Sequence, residues 1–101
     1  MNDKSPLSEE SFEKAAELLS LLAEPKRLRI LSVTSKEEIS VSALAERIGV
    51  GKTLISHHLG TLRMHNAVET REAGTLVYYR CTSPTIHKMI ATIEEIVDAA
   101  Q

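Results

Sequence analysis

Four residues near the middle of the chain combine a small side chain, a glycine and branched apolar side chains at fixed distances. With Val41 as the first position, Ala45 is the fifth, Gly49 the ninth and Ile55 the fifteenth. Two short helices that cross at a steep angle need a small residue at the crossing, a glycine in the turn and a branched apolar residue inside the second helix. The rest of the apolar seam is Leu44, Ile48, Val50 and Leu59. The spacing therefore predicts a helix-turn-helix over about residues 42–65.

The segment GVGKT, residues 49–53, also looks like the end of a phosphate-binding loop. Such a loop needs another glycine, separated from its Gly-Lys pair by four residues, and it follows a buried strand. Glu46 occupies that glycine position, where a carboxylate would repel phosphate, and an amphipathic helix precedes it. We therefore interpret the segment as the turn and the start of a helix that covers about residues 52–65.

Three helices lead up to this point. The helical spacing of apolar residues predicts a first helix over about residues 8–23. Pro25 suits the first turn of a second helix, PKRLRILSVTS. Ser42 suits the N-cap of the third helix, and Gly49 ends it.

Two β-prone runs and a final helix complete the chain. The runs flank Ala73-Gly74, where glycine can adopt a positive φ, so residues 68–81 predict a hairpin. The segment EISV, residues 38–41, is a candidate for one more short strand. Ser83-Pro84 supplies an N-cap and a first-turn proline for a helix over about residues 84–100. The predicted fold is mainly α with a small β-hairpin, in the order α-α-α-α-β-β-α, as a single domain over residues 1–101.

Composition limits which residue types can form the core and indicates the cellular compartment of the protein. The chain has 101 residues, only three aromatic residues among Phe, Tyr and Trp, and one cysteine, Cys81. A core poor in aromatics must consist of Leu, Ile, Val and Ala, which suits packed helices, and so short a chain can bury more apolar surface by dimerising. A lone cysteine forms no intrachain disulfide, the first residues lack the features of a signal peptide, and no apolar run could span a bilayer. We expect a cytoplasmic protein without a membrane partner.

Charge is unevenly distributed along the chain. The formal net charge is −2, which by itself argues weakly against nucleic acid. Between Gly51 and Arg71, however, only Glu69 is acidic, whereas Lys52 and Arg63 are basic and three histidines lie near them. The middle of the chain is therefore mildly basic between two acidic ends.

Three segments together resemble the ArsR/SmtB family of small winged-helix transcription regulators. They are LLAEPKRLRIL, SALAERIGVGKTLISHHLGTLRMHNAV and REAGTLVYYR. The resemblance covers roughly residues 15–82 and is most specific in residues 43–68. It implies a homodimeric winged helix-turn-helix protein that binds operator DNA, usually as a repressor released by an inducer. Members of the family commonly have Ser and Gln where this chain has Gly51 and Lys52, so the operator sequence is not implied.

The winged-helix interpretation assigns DNA contacts to the helix at 52–65 and to the hairpin. The N-terminal part of such a helix enters the major groove, and the hairpin, called the wing, contacts the DNA backbone or minor groove. The predicted DNA-binding residues are Lys52, Thr53, Ser56, His57, Arg71 and Thr75. Arg63 and His65 are weaker candidates. The alternative for His57, Arg71 and Thr75 is that they are ordinary solvated residues, and His58 lies near enough to the apolar face to be either buried or exposed.

A palindromic operator requires a two-fold dimer, because its two half-sites are one DNA turn apart. The apolar stripes of the helices at 8–23 and 84–100 exceed what a small core needs, so we assign part of each stripe to a dimer interface. The assigned residues are Phe12, Leu19, Leu22, Ile86, Ile90, Ile93 and Val97. The alternative is that both stripes only cover the core.

Metal sites described for the family do not match the ligands of this chain. The third helix lacks a Cys-x-Cys element, and Cys81 is the only thiol, so we interpret it as a packed core residue. At the positions of a site that joins the last helices of two subunits, the chain has Thr85, His87, Asp98 and Gln101, of which only His87 and Asp98 are good ligands. We therefore predict no metal and no cofactor. The inducer stays unassigned.

Three other functions are weighed against DNA binding by a repressor. A metal-responsive repressor would use His87 and Asp98. A winged-helix module for protein interaction, without DNA binding, would fit the low net charge. An enzyme is disfavoured, because Ser56 and His57 are adjacent on a helix and point about 100° apart, which rules them out as a nucleophile and its base. We predict no catalytic residue.

Overall fold

A computed structural model describes residues 8–100 of the chain. Five helices and three strands follow one another as α1 (Glu9–Leu22), α2 (Pro25–Thr34), β1 (Ile39–Ser40), α3 (Val41–Ile48), α4 (Lys52–Met64), β2 (Glu69–Ala73), β3 (Leu76–Arg80) and α5 (Pro84–Ala99). The predicted order of elements is confirmed, with β1 formed inside the EISV segment. The domain predicted over 1–101 includes residues 1–7 and Gln101, which lie outside the described residues.

Capping side chains begin most of the helices where the sequence indicates. The Ser8 hydroxyl accepts a hydrogen bond from the backbone N–H of Ser11 at the start of α1. Pro25 occupies the first turn of α2, and Ser83 caps α5 in front of Pro84. Each cap satisfies an N–H group that has no partner inside its helix, so local sequence fixes where these helices start.

The N-cap of α3 is Ser40, and the prediction of Ser42 is wrong. The Ser40 hydroxyl accepts a hydrogen bond from the N–H of Ala43 at 3.2 Å. Ser40 is also the last residue of β1, paired with Tyr78 of β3. Because the strand ends at Ser40, the helix starts immediately at Val41, two residues earlier than expected.

The three strands form one antiparallel sheet in the order β1-β3-β2. Strands β2 and β3 are the predicted hairpin; Ala73 pairs with Leu76 next to a turn in which Gly74 has a φ of +64°. Since β3 lies between the other two strands, it connects the hairpin to the residues that lead into α3. The hairpin is thereby attached to the helix-turn-helix by backbone hydrogen bonds.

Aliphatic side chains from all five described helices form the core. The least exposed large side chains include Ile30, Leu31, Leu44, Ile55, Leu59 and Leu62. Cys81 is also fully buried, which confirms that it is a packed core residue. None of the helices between residues 8 and 100 combines the length and the hydropathy that crossing a membrane requires.

Three of the residues assigned to a dimer interface belong to this core instead. Leu22, Ile86 and Ile90 are buried within the protomer, so they have almost no surface to offer to a second copy. Their assignment to the interface is therefore corrected. Ile93 is half-buried, whereas Phe12, Leu19 and Val97 are exposed, together with Ile96.

Candidate nucleic-acid interface

Helix α4 has one buried and one exposed face. Ile55, Leu59 and Leu62 are inaccessible to solvent and fix the helix in the core. The predicted DNA-binding residues of this helix, Lys52, Thr53, Ser56 and His57, are all exposed. Because side chains three and four residues apart share a helix face, Lys52 lies in line with Ser56, and Thr53 lies in line with both Ser56 and His57.

Two glycines define how α4 begins. Gly49 ends α3 in the left-handed conformation, with a φ of +79°, and its N–H donates a hydrogen bond of 2.8 Å to the carbonyl oxygen of Ala45. Gly51 is the N-cap of α4 and has no side chain that could accept a hydrogen bond from the first turn. The N–H groups of that turn are therefore available to an anion, such as a DNA phosphate.

The hairpin brings Thr75 to its tip, but Arg71 is engaged by the protein itself. The Arg71 guanidinium donates hydrogen bonds of 2.9 Å and 3.1 Å to the two carboxylate oxygens of Glu38. It also lies over the ring of Tyr78, 5.1 Å from the ring centroid. The hydrogen bond from Arg71 lowers the pKa of the Glu38 carboxyl, which keeps this carboxylate charged. Any phosphate that binds Arg71 must therefore compete with Glu38.

His58 lies on the opposite side of α4 from the exposed residues. It is only 7% exposed, and its Nε2 atom is 3.7 Å from a carboxylate oxygen of Glu24, the N-cap of α2. Its Nδ1 atom is buried without a hydrogen-bond partner among the residues that the structure describes. Burial lowers the pKa of the imidazole, although Glu24 opposes this change. His58 is thus a neutral buried residue at neutral pH, which decides between the two alternatives left by the sequence.

A hollow on the exposed face of α4 contains residues that the sequence analysis did not select. Its volume is about 680 Å³, and it is lined by Ser56, His57, Gly60, Thr61, Arg63 and Met64. Gly60 and Met64 continue the line of Ser56 at steps of four residues, so helical spacing could have identified them. The weaker candidates Arg63 and His65 are also exposed.

Comparisons with known proteins agree with this architecture. A family model described as a helix-turn-helix domain matches residues 22–71. The nodulation protein NolR of Rhizobium meliloti is 38% identical over 96 residues, which are 95% of this chain and 79% of that protein. The crystal structure of NolR from Sinorhizobium fredii has a TM-score of 0.80 at 41% identity and covers 91% of this chain and 95% of that one.

Two further relatives carry more specific descriptions. A transcriptional repressor SmtB homolog of Synechocystis is 37% identical over 72% of this chain and 55% of its own length. The homodimeric winged helix-turn-helix DNA-binding domain of Mb0332 from Mycobacterium bovis, a possible ArsR-family regulator, has a TM-score of 0.79 at 28% identity, covering 97% of this chain and 91% of that one. The chain belongs to the ArsR/SmtB family. It is a DNA-binding transcription regulator with a winged helix-turn-helix fold, in a family of regulators rather than enzymes.

The two residues considered as metal ligands of this ArsR/SmtB protein have different environments. The Nε2 atom of His87 is 2.6 Å from the carbonyl oxygen of Cys81, and Asp98 is exposed near the end of α5. Burial raises the pKa of the Cys81 thiol, which disfavours the thiolate that metals and oxidants require. Between residues 8 and 100 of one protomer, no three His, Cys, Asp or Glu side chains are grouped so that they could hold a metal ion.

Proposed function

We propose that this ArsR/SmtB protein is a dimeric, cytoplasmic repressor that binds a palindromic operator through α4 and the β2–β3 wing. The observation that carries the proposal is the exposed face of α4, where Lys52, Thr53, Ser56 and His57 follow a helix N-terminus without a side-chain cap. This face combines one cation, two hydroxyl groups and an imidazole within two helical turns. These are groups that bind phosphates and base edges in DNA.

The roles of these residues follow from their positions on α4. Lys52 is in the first turn, where its ammonium group can bind a phosphate or the acceptor atoms of guanine in the major groove. Thr53 and Ser56 are short donors that must lie close to the DNA to make contact. His57 is one turn further along the helix and can donate to a base edge. The wing residue Thr75 approaches the duplex from the hairpin turn, with Arg71 behind it.

Dimer formation is supported by apolar side chains that the protomer leaves exposed. Phe12 and Leu19 of α1, and Ile96 and Val97 of α5, are large apolar residues on the outside of the two terminal helices. The related domain of Mb0332 is homodimeric. A two-fold axis between these helices would give each protomer one DNA half-site, which is why the operator is expected to be palindromic. Repression is proposed because the Synechocystis SmtB homolog is a transcriptional repressor.

Alanine substitutions in α4 test the proposed site. The DNA is a palindromic duplex selected by the wild-type protein from a random-sequence pool. Lys52→Ala and His57→Ala should each weaken binding about 5- to 150-fold, because a base or charge-assisted phosphate contact is worth about 1–3 kcal/mol. Both variants should keep the wild-type circular dichroism spectrum and sedimentation coefficient, since both side chains are exposed. Lys88→Ala, which removes an exposed lysine of α5, is the matched control and should bind as the wild type does.

The outcomes of these binding measurements distinguish the proposed function from the alternative functions. Binding by the wild type should fall steeply with salt, because phosphate contacts release counterions. Wild-type affinity in both α4 variants would mean that α4 is not the helix that contacts DNA. A wild-type protein that selects no duplex even at low salt would favour the interaction module without DNA binding.

A further inference from the structure

Gly60 occupies the middle of α4 although nothing inside the protomer requires a glycine there. A Cβ atom added to Gly60 would meet no atom within 4 Å among the residues that the structure describes. Its φ is not positive, unlike those of Gly49 and Gly74. Glycine in a helix interior is less favourable than alanine, because it loses more backbone freedom on folding. Packing within the protomer therefore does not require a glycine at position 60. A requirement for glycine there would come from a molecule that contacts this face of α4.

The position of Gly60 indicates what that contact is. Gly60 is four residues after Ser56 and three after His57, so it shares the exposed face on which the DNA contacts are proposed. It lies eight residues beyond Lys52, which is about 12 Å along the helix axis. The major groove is about 8.5 Å deep. A helix that is inclined to the groove and reaches the base edges with its N-terminal residues therefore passes the rim, formed by sugars and phosphates, near Gly60.

We infer that Gly60 lets the sugar-phosphate backbone of the operator contact the main chain of α4. This inference rests on the proposed function of α4. The hollow around Gly60 is open to solvent, and Arg63, which also lines it, supplies a cation for the same phosphate. A side chain at position 60 would fill the hollow and keep the duplex away from Ser56 and His57. The glycine thus controls how closely α4 approaches the DNA.

Two substitutions of increasing size separate fold stability from DNA binding. Gly60→Ala should raise Tm by about 2–6 °C, because alanine is the better helix former. The same variant should bind the selected duplex at least about 3-fold more weakly, and Gly60→Leu at least about 10-fold more weakly. Thr92→Ala is the matched control, because it also places alanine at an exposed position of a helix, in α5. It should not change DNA affinity.

A contact with the backbone also predicts how the loss depends on DNA sequence and salt. Gly60→Leu should weaken binding to an unrelated duplex by the same factor as binding to the selected one, since phosphates carry no sequence information. The slope of log K against the logarithm of the salt concentration should become less steep, by the amount expected for the loss of about one phosphate contact.

Three results would overturn the inference, and they differ in what else they imply. If Lys52→Ala weakens binding while both Gly60 variants bind normally, only the role of Gly60 is wrong. If Lys52→Ala and the Gly60 variants all bind normally, the proposed function of α4 fails as well. If Gly60→Ala lowers Tm, the fold itself needs the glycine. Weaker binding together with a higher Tm supports the inference.

Discussion

The adjacent histidines of α4 have opposite environments, and the buried one has a measurable consequence. His57 is exposed, whereas His58 is buried against the start of α2. Burial lowers the pKa of His58; Glu24 opposes the change, and Arg27, His57 and Lys26 add to it through repulsion between positive charges. Glu24, whose carboxylate is 3.7 Å away, does not restore an ordinary pKa, because the effect of burial is larger than its attraction. The folded protein therefore favours the neutral imidazole.

We predict that the protein loses stability when the pH falls from 7 to 5. In this interval the unfolded chain binds a proton at His58 with the ordinary pKa of about 6.5, while the folded chain binds it less readily. The unfolded state therefore holds more protons, and the free energy of unfolding decreases by up to about 1.4 kcal/mol per pH unit. The measurement is urea unfolding at fixed protein concentration and several pH values.

The control for this prediction is the neighbouring histidine. His58→Gln should remove most of the pH dependence between pH 5 and 7, and His57→Gln should keep most of it, because burial, the main cause of the lowered His58 pKa, is unchanged in that variant. The carboxyl groups of Glu24, Glu37, Glu38 and Glu94 have pKa values lowered from 4.5, so their effects belong to more acidic solutions. Equal slopes in the wild type and in His58→Gln would contradict the prediction.

At the level of elements, the wing carries an internal ion pair that would compete with the DNA contact proposed for it. Arg71 on β2 is held by both carboxylate oxygens of Glu38, which precedes β1. Arg71 also pairs across the strands with Tyr78 and lies over its ring. The guanidinium is therefore positioned by the protein, but its charge is partly neutralised before any phosphate arrives.

Glu38→Gln should strengthen DNA binding about 2- to 5-fold at 0.1 M salt, because the phosphate no longer competes with a carboxylate. The slope of log K against the logarithm of the salt concentration should become steeper, by the amount expected for about one additional phosphate contact, because Arg71 gains a phosphate. Tm should change little, since the ion pair is exposed to solvent. Titrations of the selected duplex at several salt concentrations measure both effects.

Glu37→Gln is the matched control for the effect of charge. This substitution changes the net charge by the same amount, one residue before Glu38. The Glu37 carboxylate, however, pairs with Arg47 of α3 at 2.9 Å and not with Arg71. If both variants strengthen binding equally, the gain comes from net charge and not from the release of Arg71. Unchanged binding in Glu38→Gln would remove Arg71 from the DNA-binding residues.

Local sequence predicted most of the elements, and contacts between distant residues account for what it missed. Pro25, Ser83 and Gly49 act on the helix ends next to them, so the pattern of residues is sufficient there. Ser40 and Ser42 are equally suitable caps by type, and only the pairing of Ser40 with Tyr78 decides between them. The ion pair of Arg71 joins residues 33 positions apart, which no local pattern indicates.

For the whole molecule, the question is which apolar residues serve the core and which remain for a partner. Periodicity shows that α1 and α5 have apolar stripes, but a stripe is the same whether the core or a second copy covers it. The structure separates them: Leu22, Ile86 and Ile90 face the core, whereas Leu19 and Val97 are exposed. Which half of a stripe faces inward depends on how neighbouring helices pack, and this information is spread over the whole chain.

Leu19→Glu should convert the proposed dimer into a monomer, and Val97→Glu should have the same effect. Leu19 is 58% exposed and Val97 is 48% exposed, so either carboxylate is solvated in the isolated protomer but buried in the proposed interface. A two-fold axis places each substitution in the interface twice. The dimer dissociation constant should therefore rise at least about 100-fold, as measured by sedimentation equilibrium.

Leu76→Glu is the matched control for the oligomeric state. Leu76 is a 49% exposed leucine on the wing, outside both terminal helices, and its substitution should leave the dimer intact. Circular dichroism should show that all three variants fold. A dimer that tolerates Leu19→Glu and Val97→Glu together would place the interface elsewhere.

The position of β3 between β1 and β2 has a consequence for the DNA sequences that this protein prefers. Backbone hydrogen bonds join the wing to β1, the chain continues directly into α3, and α3 packs against α4. This series of contacts couples the position of the wing to that of α4, and a duplex that touches both must match the separation between them. Groove width varies with base sequence, and narrow A-tract grooves differ from those at flexible pyrimidine-purine steps. We expect base pairs that no side chain touches to change the affinity, because they set the width of the groove that the wing and helix must fit.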